Sequence, residues 1–281
     1  INYTPEEIED FVLNFDFKKL EPDPSCENLF TNFGLDDGKK LEYLLSKLLY
    51  FKLKTKKITF GELFDKTNNE LIISATCINT NKSKYFNYKF TPDDDVILAL
   101  KMSVAVPFYF YPVYYEGYHY IDGGILDNYP IQLGNIESTL GLAVISDKYN
   151  QIDDFGDYMI KVIKLILNAN LINKIKYYKN STIGIISSEK NFIDLKMNNQ
   201  TKKIMIDRGY NKVIKEYNYY IKHLTKNILA DIIDKISENN ETENNESIDN
   251  ETGNNESIDN ESIDNETENN ESIDNETGNN E

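Results

Sequence analysis

Tryptophan is absent from the 281 residues, arginine occurs once, at Arg208, and histidine and cysteine occur twice each, at His119, His223, Cys26 and Cys77. Two cysteines make neither a disulfide framework nor a thiolate metal set, and both are expected to be reduced. Two histidines leave little material for a zinc site or a histidine-dependent triad, so no metal and no cofactor is expected. With one arginine, bidentate reading of phosphate or guanine is weakly supported. Long apolar runs are also missing: nothing approaches the roughly 18 residues of a helix that crosses a bilayer, so no transmembrane segment is expected. The opening Ile1-Asn2-Tyr3-Thr4-Pro5 has neither a charged stretch nor an apolar one. It predicts no signal peptide and an intracellular chain.

Positive charge is missing from the carboxyl end. Glu238–Glu281 holds 16 acidic residues and no lysine or arginine, which leaves 31 of the 47 acids facing all 30 bases in Ile1–Ser237. The formal charge of -17 therefore belongs to the tail. Its near-neutral remainder offers no net basic field to gather nucleic acid, and no nucleic-acid partner is expected. Within the tail a decapeptide recurs at Ser247–Glu256, Ser262–Glu271 and Ser272–Glu281, with a half-copy at Ser257–Glu261. One isoleucine per repeat buries too little surface to offset chain entropy, so residues 238–281 are predicted to be disordered and residues 1–237 to form the folded domain.

Upstream of the tail, the pattern alternates helices and apolar strands. Thr4, Pro5, Glu6 and Glu7 open an amphipathic helix over residues 4–14. Cys26–Phe33 reads as irregular, followed by a turn at Gly34, and the leucines between Asp37 and Phe51 recur at helical spacing. Glu70–Asn79 is a continuous apolar, β-branched run, a strand buried on both faces. Tyr85–Phe90 alternates like a hairpin partner, and Pro92 with Asp93, Asp94 and Asp95 starts a helix that Pro107 confines to about Ser103. Phe108–Val113 and Tyr118–Ile121 flank a turn at Tyr115-Glu116-Gly117 and predict a tyrosine-rich hairpin. Beyond it come a strand over Thr139–Ser146, a helix over Asp153–Ile175 and a strand over Thr182–Ser187. Phe192–Leu195 leads into a last helical region, from Thr201 to about Ile236, broken near Gly209. Strands alternating with helices point to an α/β domain with a largely parallel central sheet.

The chemistry concentrates at Asp122-Gly123-Gly124. Asp-Gly alone is a common turn, but two glycines after a strand-end carboxylate free the backbone for a tight, exposed geometry, and catalytic groups of α/β folds often stand at strand ends. Around it lie Met102-Ser103-x-Ala105-x-Pro107, Phe110, Pro112, and Tyr120-Ile121-Asp122-Gly123-Gly124-Ile125-Leu126-Asp127-Asn128-Tyr129-Pro130-Ile131. This block resembles the second catalytic block of the patatin-like phospholipases, and the likeness extends over about residues 1–225, including Asp207-Arg208-Gly209-Tyr210.

The resemblance implies a three-layer patatin-like fold and a carboxylic ester hydrolase of lipid degradation that works through a Ser-Asp dyad. Asp122 then falls on the proton-accepting base, with Gly123 and Gly124 completing the motif, and lipid or phospholipid is the implied substrate, met by peripheral membrane contact. The family's serine sits in G-x-S-x-G and its oxyanion donors in a Gly-rich loop. Neither pattern occurs in the 281 residues: Ser25, Ser46, Ser74, Ser103, Ser138, Ser146, Ser181, Ser187 and Ser188 all lack the flanking glycines. The expectation is a domain truncated at its amino end, without its first strand or strands, inactive as this polypeptide alone and left with an unpaired apolar sheet edge. The alternative is a non-catalytic module that binds lipid or protein through the aromatic hairpin. His119, three residues before Asp122, reads as a surface histidine because i and i+3 point to opposite faces of a strand. Asp93, Asp94 and Asp95 read as a helix cap rather than a metal cluster. The tyrosines 109, 111, 114, 115, 118 and 120 read as cover for the sheet, or alternatively as a lipid-facing stripe.

Overall fold

The computed structural model describes residues 3–22, 26–146, 152–187 and 195–249. The repeat tail from residue 250 on and most of Phe192–Leu195 lie outside them. The chain divides into two units, Ile1–Leu229 and Ala230–Glu281, and everything that surrounds Asp122 belongs to the first.

The first helix, α1 (Pro5–Asn14), has the predicted start: the Thr4 side chain accepts from the Glu7 amide while Glu7 reaches back to the Thr4 amide. Such a box satisfies two amides that the first helical turn cannot pair. The stretch expected to be irregular folds instead as α2 (Cys26–Thr31) and β1 (Gly34–Asp36). Helix α3 (Lys39–Leu53) follows, then α4 (Phe60–Thr67), again opened by a capping box between Thr59 and Glu62. Strands β2 (Ile73–Cys77) and β3 (Lys82–Phe86) pair antiparallel, and α5 (Val96–Ser103) starts on an Asp95 cap that accepts the Leu98 amide. Asp94 accepts the Tyr115 hydroxyl, so the aspartate triplet caps and ties as its position predicted.

After α5 come β4 (Phe108–Phe110), β5 (Val113–Tyr115) and β6 (Tyr118–Asp122). Strand β5 and β6 form the predicted hairpin, its turn made by Glu116 and Gly117 with φ of 50° and 86°, the left-handed geometry that suits the twist of a hairpin. Strand β4 does not join them; it runs parallel to β1, Gly34 opposite Phe108 and Asp36 opposite Phe110. The short helix α6 (Gly124–Asp127) follows, then β7 (Gly141–Ser146), α7 (Phe155–Tyr177), β8 (Thr182–Ser187) and α8 (Asn199–Asp249).

The α/β class holds, but the sheets are mixed rather than largely parallel. The four-stranded sheet, in the order β3-β2-β6-β5, is antiparallel throughout, because tight turns link β2 to β3 and β5 to β6 and a tight turn can only return a strand antiparallel. Among the described residues, parallel pairing is confined to β1 with β4 and β7 with β8. On the β7–β8 pair Leu142, Val144 and Ile186 are exposed. Helix α8 is continuous through Gly209, where a break was expected, and runs past Ser237 to Asp249; a single glycine in a helix costs only about 1 kcal/mol.

One core, built on Phe60, Phe86, Ala75, Met102 and Tyr120, lies between the antiparallel sheet and helices α3, α4 and α5. A second cluster, Val106, Ile163 and Leu167, joins α7 to the segment before β4. The hairpin tyrosines divide: Tyr120 is buried at 4% exposure, whereas Tyr114 at 66% and Tyr118 at 44% face solvent.

The β1–β4 contact is tight enough to be tested. A Cβ at Gly34 would stand 2.5 Å from both the carbonyl carbon and oxygen of Phe110, which are backbone atoms and cannot swing aside. Gly34→Ala is expected to cost about 2 kcal/mol in urea unfolding. An unchanged midpoint would mean that β1 does not sit against β4.

Candidate active site

Asp122 is the last residue of β6 and is held on its backbone from two sides. It stands opposite Ala75 of β2 in the antiparallel ladder, and its amide donates to the Ala105 carbonyl at 2.9 Å. The carboxylate turns back on the chain and accepts the Gly124 amide at 2.7 Å, the local hydrogen bond of an aspartate two residues before its donor. Among the described residues this amide is its single hydrogen-bond partner. Burial pushes the Asp122 carboxyl up to about 6, and the Gly124 amide opposes that shift only in part. A carboxylate tuned toward neutral pH is suited to take a proton there.

The glycines serve a different purpose from the one the sequence suggested. Gly123 has φ -61° and ψ -28°, ordinary right-handed backbone, so no special conformation demands glycine. Contact demands it. A Cβ on Gly123 would run into the carbonyl and hydroxyl of Ser74 on β2, and one on Gly124 would meet the Asn128 amide oxygen at 2.7 Å, Leu167 at 2.8 Å and the Asp122 carboxylate at 2.9 Å. The motif is thus a site of close approach, where two bare backbone positions let β2, α7 and the carboxylate converge. Leu167 belongs to the apolar cluster with Val106 and Ile163.

Ser74 is the serine hydroxyl seen beside this turn. It is the second residue of β2, inside a regular antiparallel ladder, not on the strand-to-helix elbow that exposes a nucleophile. Among the described residues no serine hydroxyl is hydrogen-bonded to Asp122. Ser138 and Ser181 bond the carbonyls of Asn135 and Ile136, and Ser25 and Ser188 lie outside the described residues. His119 is exposed, its ring 5.0 Å from that of Tyr114 on the hairpin, and it takes no part in the site.

One group was not singled out from the sequence. Asp127, at the end of α6 and 5% exposed, gathers three donors: Lys174 of α7 donates to Oδ1 at 2.5 Å, while Tyr85 of β3 and Gln132 donate to Oδ2 at 2.6 and 2.5 Å. Lys174 also bonds the Tyr129 carbonyl and the Gln132 side chain. Burial works to raise the Asp127 carboxyl, and hydrogen bonds from Lys174, Tyr85 and Gln132 outweigh it and hold the group below its usual range. The two aspartates of one short segment are therefore driven apart, Asp122 toward accepting a proton and Asp127 toward permanent charge. Asn128 adds a further tie, donating to the Leu167 carbonyl at 3.1 Å. Asp127 stands within the motif block, but its partner lies 47 residues on, and nothing in the spacing of α7 marks Lys174 out from its other lysines.

A mixed α/β domain thus carries a desolvated carboxylate at a strand end, followed at once by two contact glycines. Residues 1–133 match the family model described as patatin-like phospholipase. The match ends just past the Asp122 block, short of the stretch to about residue 225 that the sequence likeness covered. An uncharacterised protein of Acanthamoeba polyphaga mimivirus is 26% identical over 238 residues, covering 79% of each chain. A probable lipid hydrolase of Invertebrate iridescent virus 6 is 34% identical over 135 residues, 47% of each chain.

Two substitutions separate the roles of the aspartates. The folded Asp122 carboxyl keeps its proton to higher pH than an unfolded aspartate, so its contribution favours the native state below about pH 4 and is lost as the pH rises through about 6. Asp122→Asn is therefore expected to stabilise the chain at pH 8 by about 2 kcal/mol and to leave it nearly unchanged at pH 4, as read by thermal unfolding. Lys174→Met strands the buried Asp127 carboxylate and is expected to destabilise at pH 7 by about 3 kcal/mol. A stabilising Lys174→Met would show that Asp127 is not held as an ion.

Proposed function

We propose that this chain supplies the proton-accepting half of a serine-dependent lipid acyl hydrolase, with Asp122 as the base of a Ser-Asp dyad. The observation that carries the reading is the desolvated Asp122 carboxylate, raised to about 6 and, among the described residues, bonded only by the Gly124 amide. The patatin-like match over residues 1–133 and the viral relative named a probable lipid hydrolase support a lipid ester as substrate.

The chemistry asked of Asp122 is a pair of proton transfers. As a serine oxygen attacks the ester carbonyl, its proton passes to the Asp122 carboxylate, and the same proton then goes to the departing alcohol. Water, deprotonated by Asp122 in turn, attacks the acyl-enzyme and releases the fatty acid. The Asp127 network and the contact glycines hold the carboxylate still while it does so. No G-x-S-x-G and no Gly-rich loop stand among the 281 residues, so the nucleophile and oxyanion donors come from outside this sequence in this scheme.

This chain alone is expected neither to turn over a nitrophenyl ester or a phospholipid nor to react with a serine-directed phosphonate. Joined to, or mixed with, a patatin-type segment bearing the Gly-rich loop and G-x-S-x-G, it is expected to gain both reactions, and Asp122→Asn is expected to remove turnover by about a thousandfold or more. Labelling of the chain alone would place a nucleophile within it. A complemented chain whose turnover ignores Asp122→Asn would end the dyad reading and leave the exposed Tyr114 and Tyr118 as the argument for a binding module.

A further inference from the structure

The neutrality of Ile1–Ser237 conceals a strong local segregation of charge. Along one face of α3, Lys39, Tyr43 and Lys47 recur at i, i+4 and i+8 and form a ridge, with the Lys47 ammonium 5.2 Å from the Tyr43 ring centre. A groove opens on each side of it. The first, of about 560 Å³, has Phe15, Leu20 and Leu44 in its wall and Lys19 and Lys40 beside the ridge lysines. The second, of about 420 Å³, adds Ser46, Lys56, Lys57 and Lys101. Seven lysines thus line two adjoining grooves, and among the described residues the one carboxylate that lines either is Glu42, which Lys101 holds at 3.1 Å. Lys39 also meets Asp37 while its side chain stays 80% exposed, and Lys40 donates to the Glu21 carbonyl. Tyr50 and Phe51, 44% and 66% exposed near the end of the same helix, extend the aromatic character of the surface.

We propose that this face of α3, with its two lysine-rimmed grooves, docks the protein on an anionic phospholipid surface. Each feature answers one part of that partner. The lysines meet headgroup phosphates and carboxylates, each contributing through the negative surface potential. Their methylene stems, with the Phe15, Leu20 and Leu44 walls, accept the apolar glycerol and upper acyl region, and the tyrosine takes the boundary level between water and hydrocarbon. A nucleic acid fits less well, since the face holds no arginine for bidentate phosphate or base contacts and its groove walls are aliphatic. A protein partner with an acidic patch would leave those walls without hydrocarbon to cover them. The proposal does not depend on Asp122: the docking face stands whether or not the chain takes part in ester hydrolysis.

Vesicle co-sedimentation of the full chain tests it. Vesicles of phosphatidylcholine with about one third phosphatidylserine are expected to carry the protein down, pure phosphatidylcholine vesicles are not, and binding is expected to fall steeply between about 0.1 M and 0.5 M salt. Neutralising Lys39 and Lys47 together to glutamine is expected to lower the partition coefficient roughly 25-fold, at about fivefold per lysine. The same effect is expected for Lys56→Gln with Lys57→Gln, while Lys82→Gln, on β3 and outside both grooves, is expected to leave it unchanged. All these positions are surface lysines, and thermal unfolding checks each variant's fold. Equal binding to both vesicle types, equal losses from Lys82→Gln and the groove variants, or single-stranded RNA displacing the protein from the anionic vesicles at stoichiometric amounts would each overturn the proposal.

Discussion

The antiparallel pairing of β2 with β6 is the contact on which the candidate site depends. It sets Ala75 opposite Asp122, Thr76 opposite Ile121 and Cys77 opposite Tyr120, and so delivers the carboxylate to the end of a strand whose neighbour is almost wholly buried. The ladder then continues as contact rather than as hydrogen bonding, for Ser74 lies against Gly123 with no room for a side chain between them. From that point α6 begins, its Asp127 amide bonded to the Gly123 carbonyl, and the Asp127 side chain reaches α7 through Lys174. A single strand pairing is in this way transmitted into the position of one carboxylate and one buried ion pair. Because packed interiors resist small displacements, a side chain inserted anywhere along this line moves Asp122.

Much of this was legible in the sequence. The capping signals at Thr4 and Asp95, the apolar run of β2 and the Glu116-Gly117 turn are local, and local signals survive folding well. Long-range choices were hidden. Phe108–Phe110 reads as a hairpin arm, yet it pairs with Gly34–Asp36, some 74 residues earlier, because Gly34 lets two backbones meet. The predicted largely parallel sheet failed for the same kind of reason: the alternation of strands and helices was read correctly, but short turns inside that alternation force antiparallel returns. At the site, Asp122 stood out because of its strand-end position and the block around it, from Ser103-x-Ala105-x-Pro107 to Asn128-Tyr129-Pro130, whereas the purpose of the glycines was misjudged. Sequence suggests freedom of φ, and only the structure reveals that three elements crowd the missing β-carbons. Lys174 carried no signal at all, one lysine among several on a long helix.

Charge shows the same limit. A net charge near zero over Ile1–Ser237 argued against a basic field, and as a sum it was correct. The fold, however, brings Lys19 of the first connection, the α3 lysines and Lys56 and Lys57 beyond it onto one face, while the balancing acids lie mainly elsewhere. Composition counts charges, and only topology places them. The desolvated carboxylate and the cationic, partly apolar surface are separate features of the same domain.

The most direct measurement is the titration of the Asp122 carboxyl carbon by carbon-13 NMR in the intact chain, with Asp122→Asn identifying the resonance. A midpoint near 6 is expected, well above that of an exposed aspartate. A midpoint near 4, the value of a solvated carboxylate, would contradict the desolvated base on which the proposed chemistry rests.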